Sequence, residues 1–291
     1  MRVTIIGLGL IGGSMALNLR KRGFASHFVG VERNETHAQK ALEMGLVDEI
    51  LPLEEAIIDA DYILLSIPVK AAIAVAPRIL DAILEHQVLI DLCSTKHNIE
   101  LAVEEHPKRG RFVNGHTMSG TEFSGPTAAK DELFTHKIAI ICNKERSDTD
   151  ALEMTEELFR TLDMRLDYMD SSAHDVHAAY VSHISHISSF SLALSVLEQE
   201  ADHVLDVQRM AAGGFLSTVR LAKSSPETWE SVLEDNARNM MPIIDNYIGQ
   251  LMKFKEALSS GNTQELKGLM QQANQIKGVI ENLESPKKER V

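Results

Sequence analysis

The 291-residue sequence is short of cysteine, of positive charge and of long apolar runs. Its two cysteines, Cys93 and Cys142, both lie inside apolar stretches, which argues against a disulfide framework. Lys and Arg number 29 against 42 Asp and Glu, and the net charge of −13 argues against a general nucleic-acid binder. No run approaches the roughly 18 apolar residues of a membrane span, and the first residues lack the form of a signal peptide. We therefore expect a cytoplasmic protein that binds neither nucleic acid nor membrane.

The first part of the chain alternates short β-branched runs with helical patterns. Each run is apolar and is followed by turn residues or a helix-starting residue, as in strands that a parallel sheet buries on both faces. This alternation predicts an α/β fold with a Rossmann-type, doubly wound sheet over residues 1–168. The predicted strands are Arg2–Ile6, Phe28–Val31, Tyr62–Ser66, Val88–Asp91, Arg111–Asn114 and Lys137–Cys142, and the predicted helices are Ile11–Lys21, Glu35–Met44, Lys70–Leu84 and Asp148–Leu162.

The remainder, residues 169–291, loses the β-branched runs and is rich in Ala, Leu, Met, Glu and Gln. Apolar residues recur there at three- and four-residue spacing, which predicts four or five long helices. Helices with this much apolar surface often bury it against a second copy of the chain. We therefore expect an all-helical dimerisation domain and a homodimer. The helical stretches are Ser171–Glu200, Asp202–Lys223, Ser225–Ser259 and Thr263–Leu283, with breaks at Gly213–Gly214, Ser224–Pro226 and Gly261–Asn262 and a frayed SPKKERV tail.

A glycine motif connects the first predicted strand to the first predicted helix. The sequence GLGLIG at 7–12 fits G-x-G-x-x-G in the strand–turn–helix context that a dinucleotide-binding fingerprint requires. In that fingerprint Gly7 permits the tight turn, Gly9 admits a pyrophosphate, and Gly12 lets the helix pack closely on the strand. The helix that opens through Leu10 and Ile11 then offers free N–H groups and a partial positive charge to the phosphates.

The residues after the second predicted strand bear on which dinucleotide binds. Glu32 lies twenty residues past Gly12, where an acidic side chain accepts hydrogen bonds from the ribose hydroxyls and repels a 2′-phosphate. Arg33 beside it is a residue type that holds such a phosphate. The pair favours NAD as the cofactor, with NADP as the alternative.

Polar clusters follow three of the predicted strands, at the edge where open α/β sheets bind ligands. Ser66 and Pro68 end one strand, and Ser94 lies in the segment DLCSTK after the next. His116 lies in NGHTMSGTE after the third, a segment that also carries Thr121 and Glu122. A lone histidine is more often structural, but one at this edge can take a proton from a substrate hydroxyl while hydride leaves to a nicotinamide.

The helical half carries a second group of candidate residues. His183 and His186 are three residues apart on one helix face, and His174 and His177 repeat that spacing nearby. A metal site needs three or four converging ligands and no Cys or carboxylate is spaced to complete one, so we predict no metal. Arg220 is a candidate to clamp a carboxylate, although this segment alone favours an ordinary surface ion pair.

Together these motifs resemble the prephenate dehydrogenases, the arogenate/prephenate dehydrogenase family of tyrosine biosynthesis. The resemblance covers nearly the whole chain, and its motifs occur in the family's order and spacing. They are GLGLIGGS at 7–14, SIPV at 66–69, DLCSTK at 91–96, GHTMSGTEFSG at 115–125, VSHISH at 181–186 and GGFLSTVRLAKSSPETW at 213–229.

The resemblance implies the oxidation of prephenate by NAD(P) with loss of carbon dioxide, which gives 4-hydroxyphenylpyruvate. It implies that His116 accepts the hydroxyl proton and that Ser94 orients His116 and touches substrate and cofactor. It implies that Arg220 binds a substrate carboxylate. The family's paired histidines and cleft loop correspond to His183, His186, Thr121 and Glu122, with Trp229 near the helical wall.

The chain departs from the family pattern at three places. Thr117 and Ser185 stand where the family has proline, and both changes leave the implied chemistry untouched. Leu216-Ser217 replaces a basic and an acidic residue near the substrate's side chain, so the choice between prephenate and arogenate stays open. Two further alternatives also stay open, another enzyme of the β-hydroxyacid dehydrogenase type and a non-catalytic NAD-binding protein.

Overall fold

A computed structural model describes residues 1–201 and 207–284. The start of the helix predicted from Asp202 and the predicted SPKKERV tail lie outside the described residues. In the part described, eight strands form one sheet. The strands are β1 (Arg2–Ile6), β2 (His27–Val31), β3 (Glu49–Ile50), β4 (Tyr62–Leu65), β5 (Val88–Asp91), β6 (Phe112–His116), β7 (Ile138–Cys142) and β8 (Arg165–Met169).

Helices lie between most consecutive strands of the sheet and make up most of the described chain after β8. Four of the connecting helices fall where the sequence predicts them, and the short helices at 53–56 and 97–103 were not predicted. The α-helices are α1 (Leu10–Lys21), α2 (Glu35–Glu43), α3 (Leu53–Ala56), α4 (Val69–Ala82), α5 (His97–Val103), α6 (Thr149–Thr161), α7 (Ser171–Ala178), α8 (Ile184–Ala201), α9 (Val207–Met210), α10 (Gly213–Val219), α11 (Pro226–Asp235), α12 (Ala237–Ser259), α13 (Thr263–Ala273) and α14 (Ile276–Glu284).

The sheet has the order β3-β2-β1-β4-β5-β6-β7-β8. Strands β1 to β6 pair in parallel, so their carboxyl ends meet at one edge, as the doubly wound prediction requires. The expectation of parallel strands fails at β7, which pairs antiparallel with β6. The connection over residues 117–137 holds a 3₁₀ turn at Pro126–Ala128 in place of a crossover helix, and without that helix the chain returns antiparallel.

Both faces of the sheet are covered by apolar side chains, which alternate along each strand. Ile5 and Leu64 belong to the buried cluster on one face, and Ile6 and Leu65 belong to the cluster on the other. The first cluster includes side chains of α1 and α6, and the second includes side chains of α4 and α5. This burial makes the sheet a fixed platform whose loops carry the polar residues.

The helical part is divided more finely than the sequence predicts. The stretch predicted as Ser225–Ser259 breaks at Asn236, which caps the end of α11 before α12 begins. Gly213 starts α10 instead of interrupting a helix, because the break falls at residues 211–212. The stretch predicted as Ser171–Glu200 contains a π-helical turn at Ala179–His183 between α7 and α8.

By the density of its contacts the chain divides into two compact units, Met1–Met240 and Met241–Val291. The first contains the sheet and α1 to α11, and the second contains α13, α14 and most of α12. The domain boundary predicted between residues 168 and 169 rests on the change in amino-acid composition along the chain, and it stays a prediction. Among the helices described, none is both long and apolar enough to cross a membrane.

Candidate active site

The glycine turn after β1 is built so that larger residues do not fit. Gly7 has φ +91°, and a Cβ there would lie 2.5 Å from the carbonyl oxygen of Ser66. A Cβ at Gly12 would lie 2.0 Å from the carbonyl oxygen of Gly7. The glycine turn therefore packs closely against the first turn of α1 and against the end of β4, as the fingerprint predicts.

Gly9 differs from the other two glycines because it faces open space. It caps the start of α1, and a Cβ built on it would meet no atom within 4 Å. The first turn of α1, which includes Leu10 and Ile11, carries no acidic side chain. An open approach to unpaired N–H groups at a helix start suits an anionic phosphate, so these residues fit a dinucleotide.

The residues after β2 and β4 complete this edge of the sheet. The Glu32 carboxylate accepts hydrogen bonds from the backbone N–H of Leu8 at 3.0 Å and of Asn34 at 3.0 Å, which fixes it beside the glycine turn. Arg33 is exposed next to it. The Ser66 hydroxyl donates to the carbonyl of Gly7 at 2.8 Å, and Pro68 caps the start of α4.

His116 lies at the same edge, as the last residue of β6 rather than just past the strand as predicted. The ring is half-buried, and its Nδ1 lies 2.8 Å from Nε2 of His174. Burial lowers the pKa of the His116 imidazole well below its usual value, and the nearby His174 and Lys96 lower it further. A neutral imidazole is the form that accepts a proton.

The loop after β5 brings Ser94 and Lys96 to this edge. Ser94 is half-buried, and no hydrogen bond joins it to His116 among the residues described. Lys96 is fully buried, and its ammonium donates to the Asp91 carboxylate and to the carbonyl of Gly115 at 2.7 Å. Burial alone would lower the pKa of Lys96, but the Asp91 charge raises it above its ordinary value.

The π-helical turn changes which histidines share a side. His174 and His183 are nine residues apart, a spacing that puts side chains on opposite sides of a regular helix. The wider turn at Ala179–His183 rotates His183 by about 100° toward the side of His174. His177, which repeats the predicted spacing, points to solvent instead. Such turns are frequent at functional sites.

His183 and His186 are buried against the one tryptophan of the chain. The ring of Trp229 stacks on His186 with a centroid distance of 3.3 Å and meets His183 edge-on at 5.8 Å. Asn236 joins the group, because its amide nitrogen lies 3.0 Å from Nδ1 of His183. Burial lowers the pKa of His183 to about 4 and also lowers the pKa of His186.

Arg220 approaches this cluster from the 3₁₀ turn after α10. Its guanidinium, half-exposed, donates to the Glu122 carboxylate at 3.0 Å. The sequence around Arg220 suggested an ordinary surface ion pair. The partner, Glu122, belongs to the loop after β6, which also carries Thr121. The Thr121 hydroxyl accepts a hydrogen bond from the backbone N–H of Phe123 at 3.3 Å.

Of three further contributors to the site, the sequence marked His174 only by its spacing and did not single out Asp175 or Asn236. Asp175 bonds to Nδ1 of His174 at 2.9 Å, and Asn236 bonds to both His183 and the backbone of Asp175. The adjacent His-Asp pair upstream of the paired histidines was the available signal for the first two. Nothing local marks Asn236. In the described part of the chain, no three His, Cys, Asp or Glu side chains are grouped to hold a metal ion.

Comparison with known families and proteins agrees with this geometry. The family model described as prephenate dehydrogenase, nucleotide-binding domain, matches residues 15–168, and the one described as prephenate dehydrogenase, dimerization domain, matches residues 170–272. The prephenate dehydrogenase of Bacillus subtilis is 30% identical over 267 residues, covering 91% of this chain and 72% of that protein. The cyclohexadienyl dehydrogenase of Zymomonas mobilis is 27% identical, covering 89% of this chain and 88% of that protein.

Solved structures give the same result. Prephenate dehydrogenase from A. aeolicus, in complex with hydroxyphenyl propionate and NAD+, superposes with a TM-score of 0.83 at 27% identity, covering 96% of this chain and 98% of that one. Synechocystis arogenate dehydrogenase superposes with a TM-score of 0.74 at 26% identity, covering 96% of this chain and all of that one. With two family models that together span most of its length, the chain belongs to the prephenate dehydrogenase family.

Proposed function

We propose that this protein is an NAD-dependent oxidoreductase of tyrosine biosynthesis that converts prephenate to 4-hydroxyphenylpyruvate by oxidative decarboxylation. The observation that carries the proposal is the position of His116. It is held neutral at the sheet edge that carries the dinucleotide fingerprint, and hydrogen-bonded to His174 of the helical part. One neutral base beside a cofactor site is what this reaction requires of a protein.

The residues of the glycine turn are proposed to hold the cofactor. Gly7 and Gly12 keep the turn tight, Gly9 leaves room for the pyrophosphate, and the amides that begin α1 at Leu10 and Ile11 bind it. Glu32 is proposed to accept the ribose hydroxyls, with Arg33, Ser66 and Pro68 lining the same edge. NAD, when bound, takes a hydride from the ring carbon that bears the substrate hydroxyl.

His116 is proposed to remove the proton of that hydroxyl. As the proton leaves, the ring loses carbon dioxide and becomes aromatic, so aromatisation supplies the driving force. The protein then has two tasks, to orient the substrate and to keep one base unprotonated. Burial of His116 favours the unprotonated form at neutral pH.

The other residues are proposed to bind and orient the substrate. Arg220 is a carboxylate clamp, and it is already anchored by Glu122. His183 and His186, kept neutral by burial, offer ring nitrogens to substrate oxygens. Ser94 is proposed to contact substrate and cofactor beside His116, and Thr121 to shape the loop.

Absorbance of NADH tests the activity directly. Purified protein is mixed with NAD and prephenate, and in parallel assays arogenate or a β-hydroxy acid replaces the prephenate. The prephenate assay is then repeated with NADP in place of NAD. We expect the highest kcat/KM with prephenate and NAD. Turnover of the β-hydroxy acid alone, or NAD binding without any turnover, would contradict the proposal, and a higher kcat/KM with NADP would contradict the role of Glu32.

Arogenate is the second candidate substrate. Relatives in this family carry the names cyclohexadienyl dehydrogenase and arogenate dehydrogenase. Leu216 and Ser217, which precede Arg220, are both exposed and provide no charge that would select a keto acid over an amino acid. The ratio of kcat/KM for prephenate and arogenate decides between the two.

We also propose a cytoplasmic homodimer with a cofactor domain at 1–168 and a substrate and dimerisation domain at 169–291. The family model over 170–272 is described as a dimerization domain, and α8 exposes the large apolar side chains of Leu194 and Leu197. The buried free thiols of Cys93 and Cys142 suit a reducing compartment. Light scattering at micromolar concentration should give twice the 32.2 kDa chain mass, and a monomer mass would exclude the dimer.

A further inference from the structure

We propose that His174 and Asp175 are positioning residues that fix the tautomer and the orientation of His116. The proposal rests on the proposed role of His116 as the base. It adds two residues, His174 and Asp175, to which the proposed function gives no role of their own. The three side chains form a chain of hydrogen bonds, Asp175 to His174 to His116, that links α7 to the last residue of β6.

The Asp175 carboxylate is the fixed end of this chain. Its Oδ1 accepts from the backbone N–H of Lys96 at 2.8 Å, and its Oδ2 accepts from the backbone N–H of His97 at 2.9 Å. A backbone amide can only donate, so both carboxylate oxygens must act as acceptors. Asp175 is buried, and its own carbonyl accepts from the amide of Asn236 at 2.8 Å. The carboxylate therefore cannot rotate without losing two backbone partners.

The tautomer of His174 follows from that anchor. Because Oδ1 of Asp175 is an acceptor, Nδ1 of His174, at 2.9 Å, must carry a hydrogen and donate it. Burial lowers the pKa of His174, although the bond to Asp175 opposes this, so the ring is neutral and its Nε2 has a lone pair. That Nε2 lies 2.8 Å from Nδ1 of His116 and can only accept.

The tautomer of His116 is then fixed as well. Its Nδ1 must carry the hydrogen that His174 accepts, and this leaves the lone pair of neutral His116 on Nε2. That is the nitrogen available to take the substrate proton. When it does, the new imidazolium still donates through Nδ1 toward a ring whose far side is held by a carboxylate, so the positive charge is stabilised without any movement. An aspartate that orients a catalytic histidine acts by the same logic in serine proteases.

The pair is more than a packing contact. His174 has 1% and Asp175 has 3% of its surface exposed, and a polar pair buried this deeply is costly unless all its groups are bonded. The ring of His116 also packs edge-on against that of His174 with centroids 5.0 Å apart, so the same neighbour limits its rotation.

The tautomer is tested first, without substrate. In ¹H–¹⁵N correlation spectra of imidazole nitrogens near neutral pH, we expect His116 and His174 both to carry their proton on Nδ1. Asp175→Ala removes the acceptor of His174 Nδ1, and His174→Phe removes the acceptor of His116 Nδ1. In both variants the His116 proton is no longer fixed, so we expect signals of the Nε2-protonated form to appear. A wild-type protein with the His116 proton on Nε2, or two variants that both keep it on Nδ1 alone, would overturn the proposal.

Kinetics then test the positioning role. His174→Phe keeps the ring volume but has no acceptor, so we expect kcat to fall about 10²-fold while the prephenate KM and the NAD Kd change little. His174→Gln places an amide oxygen near the position of Nε2 and should recover about tenfold of that loss. His177→Phe, an exposed substitution on the same helix, is the matched control and should keep wild-type kcat.

The outcomes separate this proposal from the proposed function. Equal kcat values for the Phe and Gln variants, or losses that track a lower melting temperature, would mean that His174 acts only in folding. If the wild-type protein oxidises none of the substrates, the proposed function fails. The spectra then still decide whether His174 and Asp175 set the tautomer of His116.

Discussion

The buried histidines should make the protein sensitive to acid, and His183 allows the effect to be calculated. Its pKa falls from the ordinary 6.5 to about 4 in the folded chain because burial disfavours the charged ring. Between these values the unfolded chain binds more protons than the folded one, so stability decreases as the pH falls through that window. A difference of this size corresponds to about 3 kcal/mol once both states are protonated, of which about 2 kcal/mol is lost by about pH 5.

The assay uses the fluorescence of Trp229, which contacts the ring of His183 and is the only tryptophan. Urea unfolding is measured at about pH 7.5 and about pH 5 for the wild type and for His183→Gln. The variant lacks the titrating group, so its loss of stability between the two pH values should be smaller by about 2 kcal/mol. His177→Gln, at an exposed position, should match the wild type. The reasoning is refuted if His183→Gln loses as much stability as the wild type.

The remaining predictions concern the cofactor, the substrate and the base. Gly9→Ala should fold with a normal melting temperature, because its Cβ meets nothing, yet raise the NAD Kd at least about tenfold. Gly12→Ala should also cost about 1–3 kcal/mol of stability, since its Cβ would overlap the Gly7 carbonyl; an equal melting temperature for both variants would contradict the packing. Arg220→Gln should raise the prephenate KM about ten- to hundredfold and spare NAD binding, and an unchanged KM would remove it from the site. In a pH profile of the wild type, the acid limb of kcat/KM should lie well below pH 6.5, because burial lowers the pKa of His116; an acid limb centred near the ordinary imidazole value of about 6.5 would show a solvated base.

Much of the fold follows from the sequence because its signals are local. The glycine turn and the apolar runs of β1 and β4 each determine their own backbone, and both strands appear within one residue of their predicted bounds. Two strands were missed for different reasons. β3 has two residues, and β8 reads RLDYM with no buried residue, so neither resembles a strand that is buried on both faces.

The site was predictable only in part, because some of its contacts join residues that are far apart in the sequence. His116, Arg220 and the paired histidines are recognisable by residue type and by the resemblance of their motifs. The bond from His174 to His116 joins residues 58 apart, and the bond from Asn236 to His183 joins residues 53 apart. The π-helical turn that rotates His183 has no composition of its own, since AYVSH is compatible with an ordinary helix.

The account depends most on His116 as the base, and the kinetics of His116→Asn test this directly. The amide cannot accept a proton at neutral pH, so kcat for NADH formation from prephenate should fall by about 10²–10⁴. The NAD Kd, measured in parallel by calorimetry, should stay near the wild-type value because the glycine turn is untouched. A variant that keeps a near-normal kcat would contradict the account.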